Sequence, residues 1–299
     1  MATNRIRGVV AAVATPVDPD YRPDLERLVG HCRTLLDRGC DAINLLGTTG
    51  EATAFGVEQR LDTMRAIAAA GLPLDRFMVG TGVCALEETV RLTRAACEIG
   101  YAGTLVLPPF YYPDIQPDGL LDYVSALHRR VSNPKLAIYL YHIPQNTGVA
   151  WPVDVVAELK RRHPAAMVGL KDSSGDIGYA KSVVAALDDF DVFPSSEATL
   201  SGANDAGFAG CISATVNLTS VESQAAWAGQ GTDPGATAAR QASALRAVFV
   251  KFPLVSAVKA ALAARYDDPA WARVCPPLCA LTEDAAADLG RMLAEIGKA

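Results

Sequence analysis

The chain has 299 residues, half of them hydrophobic and a fifth charged, with 27 basic against 33 acidic side chains and a formal net charge of −6. That is apolar material for one large core, and α/β barrels of about 250 residues fold as single units. The charge balance leaves no cluster of Lys or Arg to track a phosphate backbone, and no stretch approaches the roughly 18 apolar residues of a membrane helix, so neither nucleic acid nor a membrane is expected as a partner.

The opening MATNRIRGVVAAVATPV meets a Thr-Pro turn where a signal peptide would need its cleavage site, which points to a cytoplasmic protein. From there, short β-branched runs alternate with amphipathic stretches, the pattern of parallel βα units. The first strand candidate, GVVAAVATPV (8–17), precedes Pro23-Asp24 at the head of LERLVGHCRTLLDR. AINLLG (42–47) runs into the turn GTTGE, and RFMVGTG (76–82) and GTLVLPP (103–109) follow, with Pro117-Asp118 heading GLLDYVSALHRR. KLAIYLYHIP (135–144) precedes Pro152 and VDVVAELKRR; MVGLKDSS (167–174), DVFPSSE (191–197) and GCISATVN (210–217) complete eight units. Most of these runs are apolar throughout, as strands covered on both faces are. After GQGTDPGAT (229–237) only Ala-rich helical segments remain. The expectation is an α/β chain, a (β/α)8 TIM barrel over 1–230 with a helical extension over 231–299 that caps the barrel or mediates subunit packing. A doubly wound Rossmann sheet competes, but no G-x-G-x-x-G follows the first strand.

Polar residues collect at the C-terminal ends of these strands, where a barrel builds its active site: Thr15, Gly47 to Glu51, Tyr111 and Tyr112, Tyr141-His142, Lys171-Asp172, Ser195 to Glu197 and Ser213. Lys171 is the most informative. It interrupts an apolar strand, and an amine taken out of water gives up its proton more readily and attacks a ketone to form an imine. An ion pair with Asp172 is the bland alternative. Tyr141 ends its strand and is suited to pass protons to and from a bound substrate. Tyr139 shares its parity, so periodicity alone does not separate them, and position at the strand end favours Tyr141. In GTTGE, the backbone N–H groups and the Thr48 and Thr49 hydroxyls are suited to hold a carboxylate, with Gly47 allowing the tight turn; a plain strand-to-helix turn with Glu51 near a helix start is the alternative.

The remaining reactive residue types read as structural. The seven Cys are scattered, and CPPLC lacks zinc spacing, so reduced thiols and no metal are expected. Of the four His only His142 is near the strand-end cluster, and it faces away from Tyr141. Ser195-Ser196 has no G-x-S-x-G context.

Taken together, GTTGE (47–51), PPFYYP (108–113), YHIPQNTG (141–148) and GLKDSSGD (169–176) resemble the dihydrodipicolinate synthase / N-acetylneuraminate lyase superfamily, over nearly the whole chain. The resemblance implies a cofactor-free lyase in which Lys171 forms a Schiff base with pyruvate or a related 2-oxo acid. It further implies Tyr141 as proton shuttle, Thr48 in its relay, and Thr49 beside it on the carboxylate. It places Ile212 in the pyruvate pocket, and Ser213, following it at the strand end, is expected to bind substrate as well. It also implies a homotetramer, a dimer of dimers, in which a tyrosine of the neighbouring subunit, Tyr111 or the adjacent Tyr112, approaches the relay.

One departure narrows the activity. Dihydrodipicolinate synthases carry an Arg five residues after the shuttle Tyr, and position 146 here is Asn, whose neutral amide does not replace a guanidinium clamp. The segment instead resembles aldolases that cleave 4-hydroxy-2-oxo acids or 2-keto-3-deoxy sugar acids, with Asn146 and Thr147 offered to substrate hydroxyls. A dehydratase using the same imine is the runner-up, and a ligand-binding barrel without catalysis is the reading from another class.

Overall fold

The computed structural model describes residues 5–297. Eight short strands form where the apolar runs stand: β1 (Gly8–Ala12), β2 (Ala42–Leu45), β3 (Phe77–Gly80), β4 (Gly103–Val106), β5 (Ile138–His142), β6 (Met167–Asp172), β7 (Asp191–Pro194) and β8 (Gly210–Ser213). All pair in parallel in the order β7-β6-β5-β4-β3-β2-β1-β8. The seam between β7 and β8 is bridged by the Ala209 N–H, which donates to the Val192 carbonyl at 2.9 Å. The eight strands thus make a nearly closed (β/α)8 barrel.

Helices α1 (Leu25–Asp37), α2 (Val57–Ala69), α3 (Leu86–Ile99), α4 (Pro117–Val131), the short α5 (Pro144–Thr147), α6 (Val153–Arg162), α7 (Ile177–Ala186), the short α8 (Ala203–Ala206) and α9 (Val216–Ala228) make the outer ring and its turns. Their starts follow local chemistry. Asp24 caps α1 through the Arg27 N–H, Pro117 occupies the first turn of α4, and Pro152 precedes α6. One face of each strand packs on these helices. The other face fills the barrel with Val10, Ala42, Met78, Leu105, Tyr139 and Phe193, all buried.

Three further helices, α10 (Asp233–Phe249), α11 (Leu254–Tyr266) and α12 (Glu283–Ile296), follow the barrel. Thr232 caps α10, so the Gly-rich break is confined to 229–232. Pro253 to Ser256 and Leu278 reach the barrel mouth. No single helix among the described residues is long and apolar enough to cross a membrane.

Candidate active site

The strand register brings the two central residues together. Tyr141 and Lys171 are paired positions of β5 and β6, and both side chains point into the barrel. Lys171 is 3% exposed, and its Nζ lies 4.4 Å from the centre of the Tyr141 ring. Asp172, one residue on, turns to the opposite face, where its Oδ1 accepts from the Ser174 N–H at 2.9 Å. Strand alternation therefore separates Lys171 from the carboxylate that would have neutralised it.

The Tyr141 hydroxyl lies 3.1 Å from Thr48 Oγ1. Burial pushes this phenol up, but the Lys171 charge and hydrogen bonds from Thr48, Ser173 and Lys171 outweigh it and hold its pKa below the ordinary tyrosine value. Tyr139, the same-parity alternative, lies deeper, with its ring 6.1 Å from that of Phe193 in an edge-on arrangement.

The GTTGE turn follows β2. Gly47 leaves room there for the Asn44 side chain, which would have to shift for a Cβ standing 2.7 Å from its Oδ1. The turn is closed by the Glu51 N–H donating to Thr48 O at 3.0 Å and the Ala52 N–H to Gly47 O at 3.3 Å. Among the described residues the N–H groups of Thr48 and Thr49 have no acceptor, and both residues line the central cavity. Such paired, unspent amides form an anion-binding concavity. Glu51 adopts a left-handed φ of 54° and sends its carboxylate inward, where it takes the Lys259 ammonium of α11 and the Cys275 N–H, the latter at 2.6 Å. The turn is thereby pinned to the C-terminal helices.

The cavity encloses about 380 Å³ above Lys171. Ile212 closes one wall and Asn146 stands exposed at the mouth. No carboxylate lines it among the described residues, and Lys171 and Arg246 are its two cations. Arg246 was not legible as a site residue, because it sits in the Ala-rich run of α10, far from any strand end.

Two expected contacts differ. Thr147 points its hydroxyl at backbone, within 3.1 Å of Ile143 O and 2.8 Å of Val149 O, because it ends the short α5 and its oxygen is drawn into that turn. Ser213 is 1% exposed and bonds Thr215 and Arg246, so it supports Arg246 and lines no part of the cavity. Tyr111 and Tyr112 stand on the surface, 75% and 72% exposed, outside this subunit's cavity. His142 faces away from the cavity as expected, stacked on Tyr179 with its Nδ1 accepting from the Trp151 N–H.

Comparison with known proteins identifies the family. Residues 5–296 match the model of the dihydrodipicolinate synthetase family. A DapA-like lyase of Chloroflexus aurantiacus is 35% identical over 94% of each chain. A 4-hydroxy-tetrahydrodipicolinate synthase of Alcanivorax borkumensis is 31% identical over 71% of each. The crystal structure of dihydrodipicolinate synthase from Agrobacterium tumefaciens superposes with a TM-score of 0.89 at 27% identity, covering 97% of this chain and 99% of that one. The chain therefore belongs to the dihydrodipicolinate synthetase family, and with its members it is a pyruvate-dependent lyase of the Schiff-base type.

Proposed function

We propose that the enzyme cleaves a 4-hydroxy-2-oxo acid or a 2-keto-3-deoxy sugar acid to pyruvate and an aldehyde, reversibly and without a cofactor. The observation that carries this reading is the contact chain Lys171, Tyr141, Thr48 at the floor of a cavity whose mouth bears the neutral Asn146. An imine-forming amine sits beside a phenol whose acidity is raised, and the phenol is linked to a second hydroxyl able to relay its proton.

In the proposed sequence the Lys171 amine attacks C2 of the oxo acid and the C2 oxygen leaves as water, giving an iminium. The Thr48 and Thr49 amides hold the carboxylate. Tyr141, left as a phenolate after protonating the departing C2 oxygen, takes the proton of the C4 hydroxyl, the C3–C4 bond breaks, and its electron pair passes into the iminium, releasing the aldehyde and an enamine. Protonation at C3 and addition of water then release pyruvate and free Lys171. The exposed Tyr111 is offered to a neighbouring subunit's relay in a tetramer.

Two other activities diverge from the same iminium. Dehydration of a keto-deoxy sugar acid would expel a hydroxyl and yield no pyruvate. The synthase reaction named for the Alcanivorax relative is disfavoured because Asn146 stands where such synthases carry an arginine. Incubation with pyruvate and borohydride, followed by peptide mass spectrometry, is expected to give an adduct on Lys171 that Lys171→Ala abolishes. Pyruvate release from 4-hydroxy-2-oxo acids, followed with lactate dehydrogenase, separates cleavage from dehydration. Full turnover by the alanine variant would sink the imine mechanism.

A further inference from the structure

Arg246 is the cavity cation for which the reaction sequence has no use. It rises from α10, and its side chain is 21% exposed. Its Nη1 is held by Ser213 Oγ at 3.0 Å and Thr215 Oγ1 at 3.3 Å, with Glu197 Oε2 at 3.7 Å. Glu197 is fully buried, and its other oxygen accepts from the Thr215 and Thr219 hydroxyls. This carboxylate steadies the guanidinium from beyond hydrogen-bond distance and leaves the fork unoccupied. A guanidinium has five N–H donors in a rigid plane. Among the described residues the Arg246 Nε and Nη2 donors meet no acceptor.

An oriented, unspent guanidinium edge in a cavity without carboxylates is a receptor for an anion. It is not placed for the oxo acid's own carboxylate, because the free Thr48 and Thr49 amides stand beyond β2, whereas Arg246 is held at the end of β8. We propose that Arg246 determines specificity by taking a second carboxylate at the far end of the substrate, so that the preferred substrates are 4-hydroxy-2-oxo dicarboxylic acids. The planar fork matches two carboxylate oxygens. This inference rests on the Schiff-base reading and narrows its substrate class.

The test compares ligands of equal length. Half-saturation of borohydride trapping is measured for 2-oxoglutarate against 2-oxopentanoate, and for 2-oxoadipate against 2-oxohexanoate. Wild type, R246Q and R246K are each compared with themselves, so that a general loss of folded protein cancels. Calorimetric binding of 2-oxoglutarate and 2-oxopentanoate to K171A, with and without R246Q, reads the same preference where no imine forms. The wild type is expected to favour the dicarboxylate tenfold or more, each tenfold being about 1.4 kcal/mol. R246Q should reduce the preference to less than about threefold, and R246K should keep part of it. Equal trapping of both ligand types by wild type, or a preference that survives R246Q, overturns the proposal. Absence of any trapping, with an Arg246-dependent preference in calorimetry, would instead refute the imine reading and uphold the anion subsite.

Discussion

Lys259→Met tests whether the GTTGE turn is held by the C-terminal helices. Lys259 is fully buried in α11 and pairs with Glu51, 4% exposed, at the end of the GTTGE turn. Burial lowers the Lys259 pKa, and Glu51 opposes that shift. Methionine keeps the unbranched apolar stem and deletes the charge, leaving the Glu51 carboxylate buried with only the Cys275 N–H at 2.6 Å. Removing one partner of a buried ion pair costs about 3–5 kcal/mol, because the other charge is left uncompensated. That is a large share of the roughly 5–15 kcal/mol that holds a domain folded. In Glu51→Gln/Lys259→Met the amide oxygen still accepts from Cys275 N–H and no bare charge remains, so at least about 2 kcal/mol should return. Urea denaturation at fixed protein concentration reads the midpoint and slope for each variant. A K259M midpoint equivalent to less than about 1 kcal/mol of loss at unchanged slope would refute the reasoning. So would a double variant no more stable than the single one, since the cost would then not arise from the stranded carboxylate.

Tyr141→Phe keeps the ring beside the Lys171 ammonium and removes the hydroxyl that meets Thr48, so kcat on a 4-hydroxy-2-oxo acid should fall by about 10²-fold or more while pyruvate still traps slowly on Lys171. Turnover within a few fold of wild type would exclude Tyr141 as the proton shuttle. The pH dependence of stability has a definite sign. Burial lowers the pKa of both His31 and His142 to about 4 from 6.5, so the unfolded chain protonates first as pH falls. Their contribution is complete above about pH 6.5, is lost progressively toward pH 4, and amounts to about 3 kcal/mol for each residue. For His31 burial is the main cause; the hydrogen bond from Nε2–H to Asn217 Oδ1 opposes it, and the nearby Arg265 charge adds to it. A denaturation midpoint that stays level between pH 7 and 4.5 would contradict this.

The strands were legible because barrel strands are buried on both faces and read as unbroken apolar runs. Their C-terminal ends were overshot for the same reason. The ladder of β1 stops at Ala12, yet Val13, Ala14, Thr15 and Val17 remain buried beneath the mouth, so composition does not change where pairing stops. Lys171 was visible as a charge in such a run. Glu51 was visible, but its partner was not, since 208 residues separate it from Lys259 and neither carries a local signature of the pair. Arg246 reads from sequence as one more solvated arginine on an Ala-rich helix. Its meaning comes only from Ser213 and Thr215, 33 and 31 residues earlier, which turn it over the cavity.

Tyr139 and Tyr141 show where more was readable than periodicity extracts. Both point into the barrel, and what separates them is depth. At the level of Tyr139, β4 and β6 carry Gly103 and Gly169, where a Cβ would stand 2.6 Å and 2.7 Å from the Tyr139 ring. Two missing side chains make the volume that a phenol ring occupies in the barrel floor. Two residues further along both strands Tyr141 faces Lys171, and the layer opens into the cavity. A glycine in the neighbouring strand, opposite a tyrosine of the same parity, is therefore evidence that the tyrosine packs. In MVGLKD the glycine two residues before the lysine marks the filled layer, and the lysine marks the open layer above it.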